Sequence, residues 1–341
     1  MRIISCNLTG KKHTSRNVPC EDSVCVEQKN GVVCACVADG AGSSKYPHAK
    51  QGSQAVTKAV SEFFCEKFDD FYAAVNEIEL RKVVAAVCRK ALKEEAEKLS
   101  LEGTETLAST LLCAAVKGNK LIVCQVGDGV IGCFGDGTAQ PLTLPQNGEF
   151  AGTTFFVNAP EAYRYIQVRK GFTNNISGIF LMTDGIAETL YDEGTGVFHE
   201  DIVRLISLSE KDNGSDLLEE TVSKYIVNAD EASDDCTMAV INLENTAVNY
   251  KCKDKKEKSD PIEIPIQEFI CDPEKNETEE KKLPYKRISV VLAACLAFAV
   301  AALVAVSVLF AVNTGKTSQQ ETSSVITEET LTAVPETQTD I

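Results

Sequence analysis

The chain has 341 residues and a formal net charge of −16, from 34 Lys and Arg against 50 Asp and Glu. So large an acid excess argues against a nucleic-acid partner, because binding a phosphate backbone needs a Lys/Arg surface. Apolar residues at 44% and charged residues at 25% exclude a wholly disordered chain, a collagen or a disulfide miniprotein, and the length allows one large domain or two modest ones. Fourteen cysteines occur. Cys34, Cys36, Cys113, Cys124 and Cys133 stand singly in apolar runs, where they are expected as small buried side chains. No CxxC pair is present, which argues against a thiolate metal site and suits a reducing compartment.

In chain order, Val32 to Ala38 (VVCACVA) is expected as a buried strand that ends in the turn Asp39-Gly40. Ala49 to Lys67 and Glu77 to Leu99 carry apolar residues at helical spacing and predict two long amphipathic helices. Ser109–Val116, Leu121–Val126 and Val130–Phe134 follow as strand-like runs. The turn signals Lys117-Gly118-Asn119 and Gly127-Asp128-Gly129 separate them, so an antiparallel meander is predicted. Further strands are expected at Ile179–Met182 and Met238–Leu243, with helical stretches at Glu200–Ser207 and Ser215–Val227 between them. Strand groups with helices segregated between them point to an α+β layered fold.

Residues 1–244 thus form the folded domain, and 245–287 a Pro-broken linker rich in both signs of charge. Ile288 to Val312 (ISVVLAACLAFAVAALVAVSVLFAV) carries no charge. As helix it is roughly 37 Å long, enough to cross a ~30 Å hydrocarbon core. Lys281, Lys282, Lys286 and Arg287 precede the span and only Lys316 follows closely, so the folded domain is expected in the cytoplasm and the tail outside. That tail, 313–341, is Thr/Ser-rich with few apolar residues and is expected to be disordered.

Acids recur at strand ends, next to glycine or to each other: Glu21-Asp22, Asp39-Gly40, Gly127-Asp128-Gly129, Asp184-Gly185 and Asp234-Asp235. Carboxylates converging from such positions would repel one another unless a hard divalent cation lay between them. Only three His occur, so oxygen ligands and Mg²⁺ or Mn²⁺ are favoured over a His-rich zinc site.

The order of these stretches resembles the metal-dependent PPM-type (type 2C) Ser/Thr protein phosphatases, in their bacterial style. The matching segments are CEDSVCV (20–26), VCACVADGAGS (33–43), GTETLASTLLCAAV (103–116), LIVCQVGDGVIGCF (121–134), IFLMTDGIAETL (179–190) and DDCTMAVI (234–241). The resemblance implies a four-layer α-β-β-α sandwich of two antiparallel sheets, here with one C-terminal transmembrane helix. It implies two Mn²⁺ or Mg²⁺ ions and a more loosely held third. Asp39 would bridge the two ions and Gly40 would serve one through its carbonyl. Glu21 would serve the second ion through water, with Asp22 as its hydrogen-bonding neighbour. Asp184 and Asp234 would serve the first ion, and Asp128 and Glu188 the third. The implied reaction is hydrolysis of phosphoserine and phosphothreonine by in-line attack of a metal-bridging water, so no cysteine is needed as nucleophile.

Two departures from the family pattern stand out. Many members carry a phosphate-clamping Arg four residues before Glu21, where this chain has Asn17. Arg16 is the candidate in its place, with Lys11, Lys12 and His13 as substitutes. The His that follows Asp-Gly in eukaryotic-type members is Ala41 here, as it commonly is absent in bacterial members, and His48 is expected at a surface or helix start. The expected partners are phosphorylated Ser/Thr proteins, a cognate Ser/Thr kinase of the same membrane system, and the membrane through one helix. The second reading is a catalytically weak or inactive phosphatase-fold binding or sensor domain on a membrane anchor. The missing Arg favours that reading and the intact acids oppose it.

Overall fold

The computed structural model describes residues 1–148, 154–229, 232 and 234–243. The predicted linker, membrane span and tail (245–341) lie outside those residues. Among the described residues no helix is long and apolar enough to cross a membrane.

The elements in chain order are β1 (Arg2–Leu8), α1 (Lys11–Ser15), β2 (Ser23–Lys29), β3 (Val32–Ala38), α2 (Ala49–Ala73), α3 (Glu77–Lys98), β4 (Leu111–Lys117), β5 (Lys120–Val126), β6 (Val130–Gly135), β7 (Thr138–Pro141), β8 (Gln167–Phe172), β9 (Gly178–Met182), α4 (Asp184–Leu190), β10 (Tyr191–Asp192), β11 (Val197–Phe198), α5 (Asp201–Ser207), α6 (Gly214–Val222) and β12 (Cys236–Asn242). Two five-stranded antiparallel sheets result, ordered β2-β3-β4-β5-β8 and β1-β12-β9-β6-β7.

Side-chain alternation along the strands builds three apolar layers. Val33, Ala35 and Val37 of β3 meet Ile179 and Leu181 of β9 and Ala239 and Ile241 of β12 between the sheets. The opposite face of β3, Val32, Cys34 and Cys36, packs on α2 and α3 through Val56, Phe64, Val84 and Cys88. Outside the other sheet, Val130, Phe180 and Val240 meet Ile186, Ile202, Leu205 and Leu218 of α4, α5 and α6. The layer order is therefore helix, sheet, sheet, helix. The strands covered on both faces read as unbroken apolar runs for that reason. Cys34, Cys36, Cys113, Cys124 and Cys133 are all buried, as expected.

Three sequence expectations change. Helix α2 continues past its predicted end at Lys67, whose backbone (φ −119°, ψ 17°) leaves helical geometry before the helix resumes to Ala73. The stretch expected as one helix to Val227 is α6 followed by a π turn over Ser223–Val227. The predicted meander is only a β4–β5 hairpin, because β6 leaves that sheet and pairs with β9 and β7 in the other. Gly127-Asp128-Gly129 is thus a crossover between sheets. It needs glycine first: Gly127 has φ +111°, and a Cβ there would lie 2.5 Å from the Thr110 methyl carbon.

Candidate metal centre

Strand register carries the acids to one edge of the sandwich. Ser23, just after Glu21-Asp22, pairs with Ala38, just before Asp39. Met182, just before Thr183-Asp184, pairs with Met238 near the start of β12 and with Val130 at the start of β6. The starts of β2, β6 and β12 therefore lie beside the ends of β3 and β9.

Carboxylate oxygens of Asp39, Asp128 and Asp184 lie within 4.8 Å of one another. Asp39 is held from its backbone: its N–H donates to Thr110 Oγ1 (2.8 Å) and its carbonyl accepts from the Thr110 N–H (2.8 Å). Gly40 fits beneath it only without a side chain, since a Cβ would stand 2.5 Å from the Glu21 carbonyl oxygen and 3.0 Å from Ala49. Asp184 starts α4, and its Oδ1 accepts from the Gly185 N–H (2.8 Å). Asp128 Oδ1 is buried and has no hydrogen-bond partner among the described residues.

Electrostatics mark the same cluster. Burial, followed by the charges of Asp184, Asp22 and Asp128, pushes the Asp39 carboxyl well above the usual carboxylate range. Burial and then Asp128, Asp22 and Asp234 do the same to Asp184, and burial raises Asp128. Asp22 is pushed up to about 7 by burial and Asp235, although the Thr237 and Thr183 hydroxyls oppose the shift. The Thr183 hydroxyl donates to Asp22 Oδ2 at 2.8 Å. This is the environment expected where acids await a cation: buried, mutually repelling, and in one case with an oxygen unpartnered among the described residues. An all-carboxylate donor set of this kind fits a hard divalent ion.

A second group gathers around helix α1. His13 Nδ1 lies 2.8 Å from Asp235 Oδ2, and Lys12 Nζ donates to Asp234 Oδ2 at 2.8 Å. Asp235 also accepts from the Gly10 N–H (2.8 Å) and the Glu21 N–H (2.7 Å). At Asp234 burial favours the neutral acid, but the Lys12 ammonium, the Asp235 N–H and His13 outweigh it and hold the carboxyl below its ordinary value. Glu21 is raised by burial, against the opposing charge of His13.

The structure therefore brings Asp22, Asp39, Gly40, Asp128 and Asp184 together, with Glu21 and Asp234 beside them in the second group. Two expected residues stand apart. Glu188 is exposed, one helical turn beyond Asp184, and acts on Asp128 only through its charge; Asp128 groups with Asp39 and Asp184 instead. Arg16 is exposed and makes no ion pair with the site acids among the described residues. Its place at the carboxylates is taken by Lys12, because α1 folds back over the start of β12. Lys11 turns away to the Asn228 carbonyl (3.3 Å), and His48 sits at the start of α2. Asp235 and Thr183 were not foreseen as the supports they are. Their partners are 222 and 161 residues distant in sequence.

A sequence profile of the Protein phosphatase 2C family matches residues 9–224, and the chain belongs to that family. The fold is similar to that of a bacterial serine phosphatase, with a TM-score of 0.52 at 13% identity, over 73% of this chain and 100% of that one. It is also similar to a C. elegans sex determining protein, with a TM-score of 0.51 at 14% identity, over 70% of this chain and 64% of the other. At these identities the likeness establishes the fold alone. No curated protein matches the chain.

Proposed function

We propose that the chain is a metal-dependent protein Ser/Thr phosphatase tethered to a membrane by residues 288–312, with its folded domain cytoplasmic. The observation that carries the catalytic part is the Asp39–Asp128–Asp184 cluster, with donor oxygens within 4.8 Å and a buried Asp128 Oδ1 that has no partner among the described residues. Asp39, Asp184, Asp234 and Glu21 would hold two Mn²⁺ or Mg²⁺ ions, and Asp128 a third or a share of the first. Bound ions would lower the pKa of a water and neutralise charge growing on the phosphoryl oxygens.

The remaining work falls to the chain's own groups. Thr110 fixes the Asp39 backbone through both its N–H and its carbonyl. Asp22, held by Thr183, ties the start of β2 to the end of β9. Lys12 brings a positive charge to the cleft wall. Were Asp234 to hold an ion, that ammonium would be left to meet a phosphate oxygen, a substitute for the Arg absent at position 17. The natural counterpart of such an enzyme is a Ser/Thr kinase acting on the same proteins.

Hydrolysis of a phosphothreonine peptide by the full chain tests this reading, with Mn²⁺, Mg²⁺ or EDTA and with Asp39→Asn and Asp184→Asn beside wild type. Turnover that needs the ion and both acids supports it. Metal binding without turnover would instead favour a binding or sensor domain. Lys12→Ala should raise KM more than it lowers kcat, and full-length protein should sediment with membranes.

A further inference from the structure

His13 is 3% exposed, yet it packs against carboxylates rather than apolar side chains. Its Nδ1 points at Asp235 Oδ2 (2.8 Å), and Asp235 also accepts from two backbone N–H groups. That contact holds the ring by Nδ1 and turns Nε2 toward two other carboxylates. Nε2 faces Glu21 Oε2 at 3.6 Å and Asp234 Oδ1 at 4.0 Å. Neither separation is a hydrogen bond. Two donors about 2.1 Å from a shared ion stand roughly 3.0 Å apart at right angles and roughly 4.2 Å apart when opposed, which brackets both distances. Gly42 keeps the space open, since a Cβ there would lie 3.3 Å from Nε2.

We propose that His13 Nε2 is a direct ligand of one divalent ion, completing a one-nitrogen, two-carboxylate set with Glu21 and Asp234. Asp235 is its outer partner, fixing the ring as a carboxylate behind a metal-bound imidazole does. The proposal rests on the metal-dependent reading above. Its chemical consequence is selectivity: an imidazole donor favours Mn²⁺, Fe²⁺ or Zn²⁺ over Mg²⁺, which an all-oxygen set would not do as strongly.

The test is electron spin-echo spectroscopy of the full chain loaded with Mn²⁺, with and without isotope-labelled histidine, alongside titration calorimetry with Mn²⁺ and Mg²⁺. Wild type should show coupling to a directly bound imidazole nitrogen. His13→Gln should lose it, although His48 and His199 remain. In the same variant Mn²⁺ affinity should fall by more than about tenfold and Mg²⁺ affinity by less than about threefold. Mn²⁺ bound to wild type without nitrogen coupling overturns the proposal and leaves the metal-dependent reading standing. Coupling that survives in His13→Gln assigns the nitrogen elsewhere and overturns it too. Wild type that binds no Mn²⁺ at all sinks both.

Discussion

Replacing Asp39 by Asn should change stability in opposite directions with and without divalent ions. The acid oxygens lie within 4.8 Å of one another, and two unit charges at that upper bound repel by roughly 3.5 kcal/mol at an effective dielectric of about 20. Asp39 has Asp184, Asp22 and Asp128 around it. Proton uptake relieves part of that repulsion, so removing the charge should stabilise the metal-free fold by about 1–3 kcal/mol at pH 8. For a folded domain of this size, 1 kcal/mol is worth about 2–4 °C, so the melting temperature in EDTA should rise by about 2–12 °C. With Mn²⁺ at a hundred times its Kd, wild type should gain about 2.7 kcal/mol and the variant little of it. Thermal melts of both proteins in detergent, with EDTA or Mn²⁺, give all four values. A variant that melts below wild type in EDTA would refute the reasoning, because the acids would then be held by internal bonds and not be waiting for a cation.

Other consequences can be measured directly. Asp22 is pushed up to about 7 in the fold from an ordinary value of 3.8, and Asp39, Asp184 and Asp128 are also raised. A raised carboxyl contributes stability that is complete below its unfolded value and is lost as pH climbs through the folded one. Metal-free protein should therefore lose melting temperature between about pH 4 and 7 and beyond, and the stabilisation by Mn²⁺ should grow over the same range. Thr183→Val removes the hydroxyl that donates to Asp22 and accepts from the Thr237 N–H at 3.1 Å. The orphaned buried groups should cost about 1–3 kcal/mol in urea unfolding. Phe64 is 0% exposed and meets Phe71 edge-on at 5.0 Å. Phe64→Ala should cost about 3–5 kcal/mol, seen as a lower denaturant midpoint at unchanged slope.

Much of the fold was legible where burial leaves a pattern. VVCACVA is apolar at every position because β3 is covered on both faces, and α2 and α3 show their stripes because one face of each meets the sheet. Strand β1 was missed because it edges its sheet and mixes Arg2, Ser5 and Asn7 into its seven residues. The meander reading failed at Gly127-Asp128-Gly129 because a hairpin and a crossover use the same turn residues; only the partner strand distinguishes them. Helix α1 has five residues, too few for a periodic signal, and it depends on contacts with residues more than 200 positions away. Lys12 and His13 consequently stood out only as substitutes for Arg16 in a basic stretch.

The spacing of the acids follows from antiparallel topology. Asp39 and Asp184 follow their strands, β3 and β9, whereas Glu21-Asp22 and Asp234-Asp235 precede theirs, β2 and β12. Antiparallel neighbours set the start of one strand beside the end of the next, so acids after one and before the other share an edge. Asp128 belongs with them because β6 begins opposite Met182, where β9 ends. A chain that put every acid after its strand would scatter them over both edges of the same two sheets. The alternation is thus the part of the site a sequence can carry. The tilt of α1, which decides that Lys12 and His13 rather than Arg16 meet the carboxylates, is the part set only by packing.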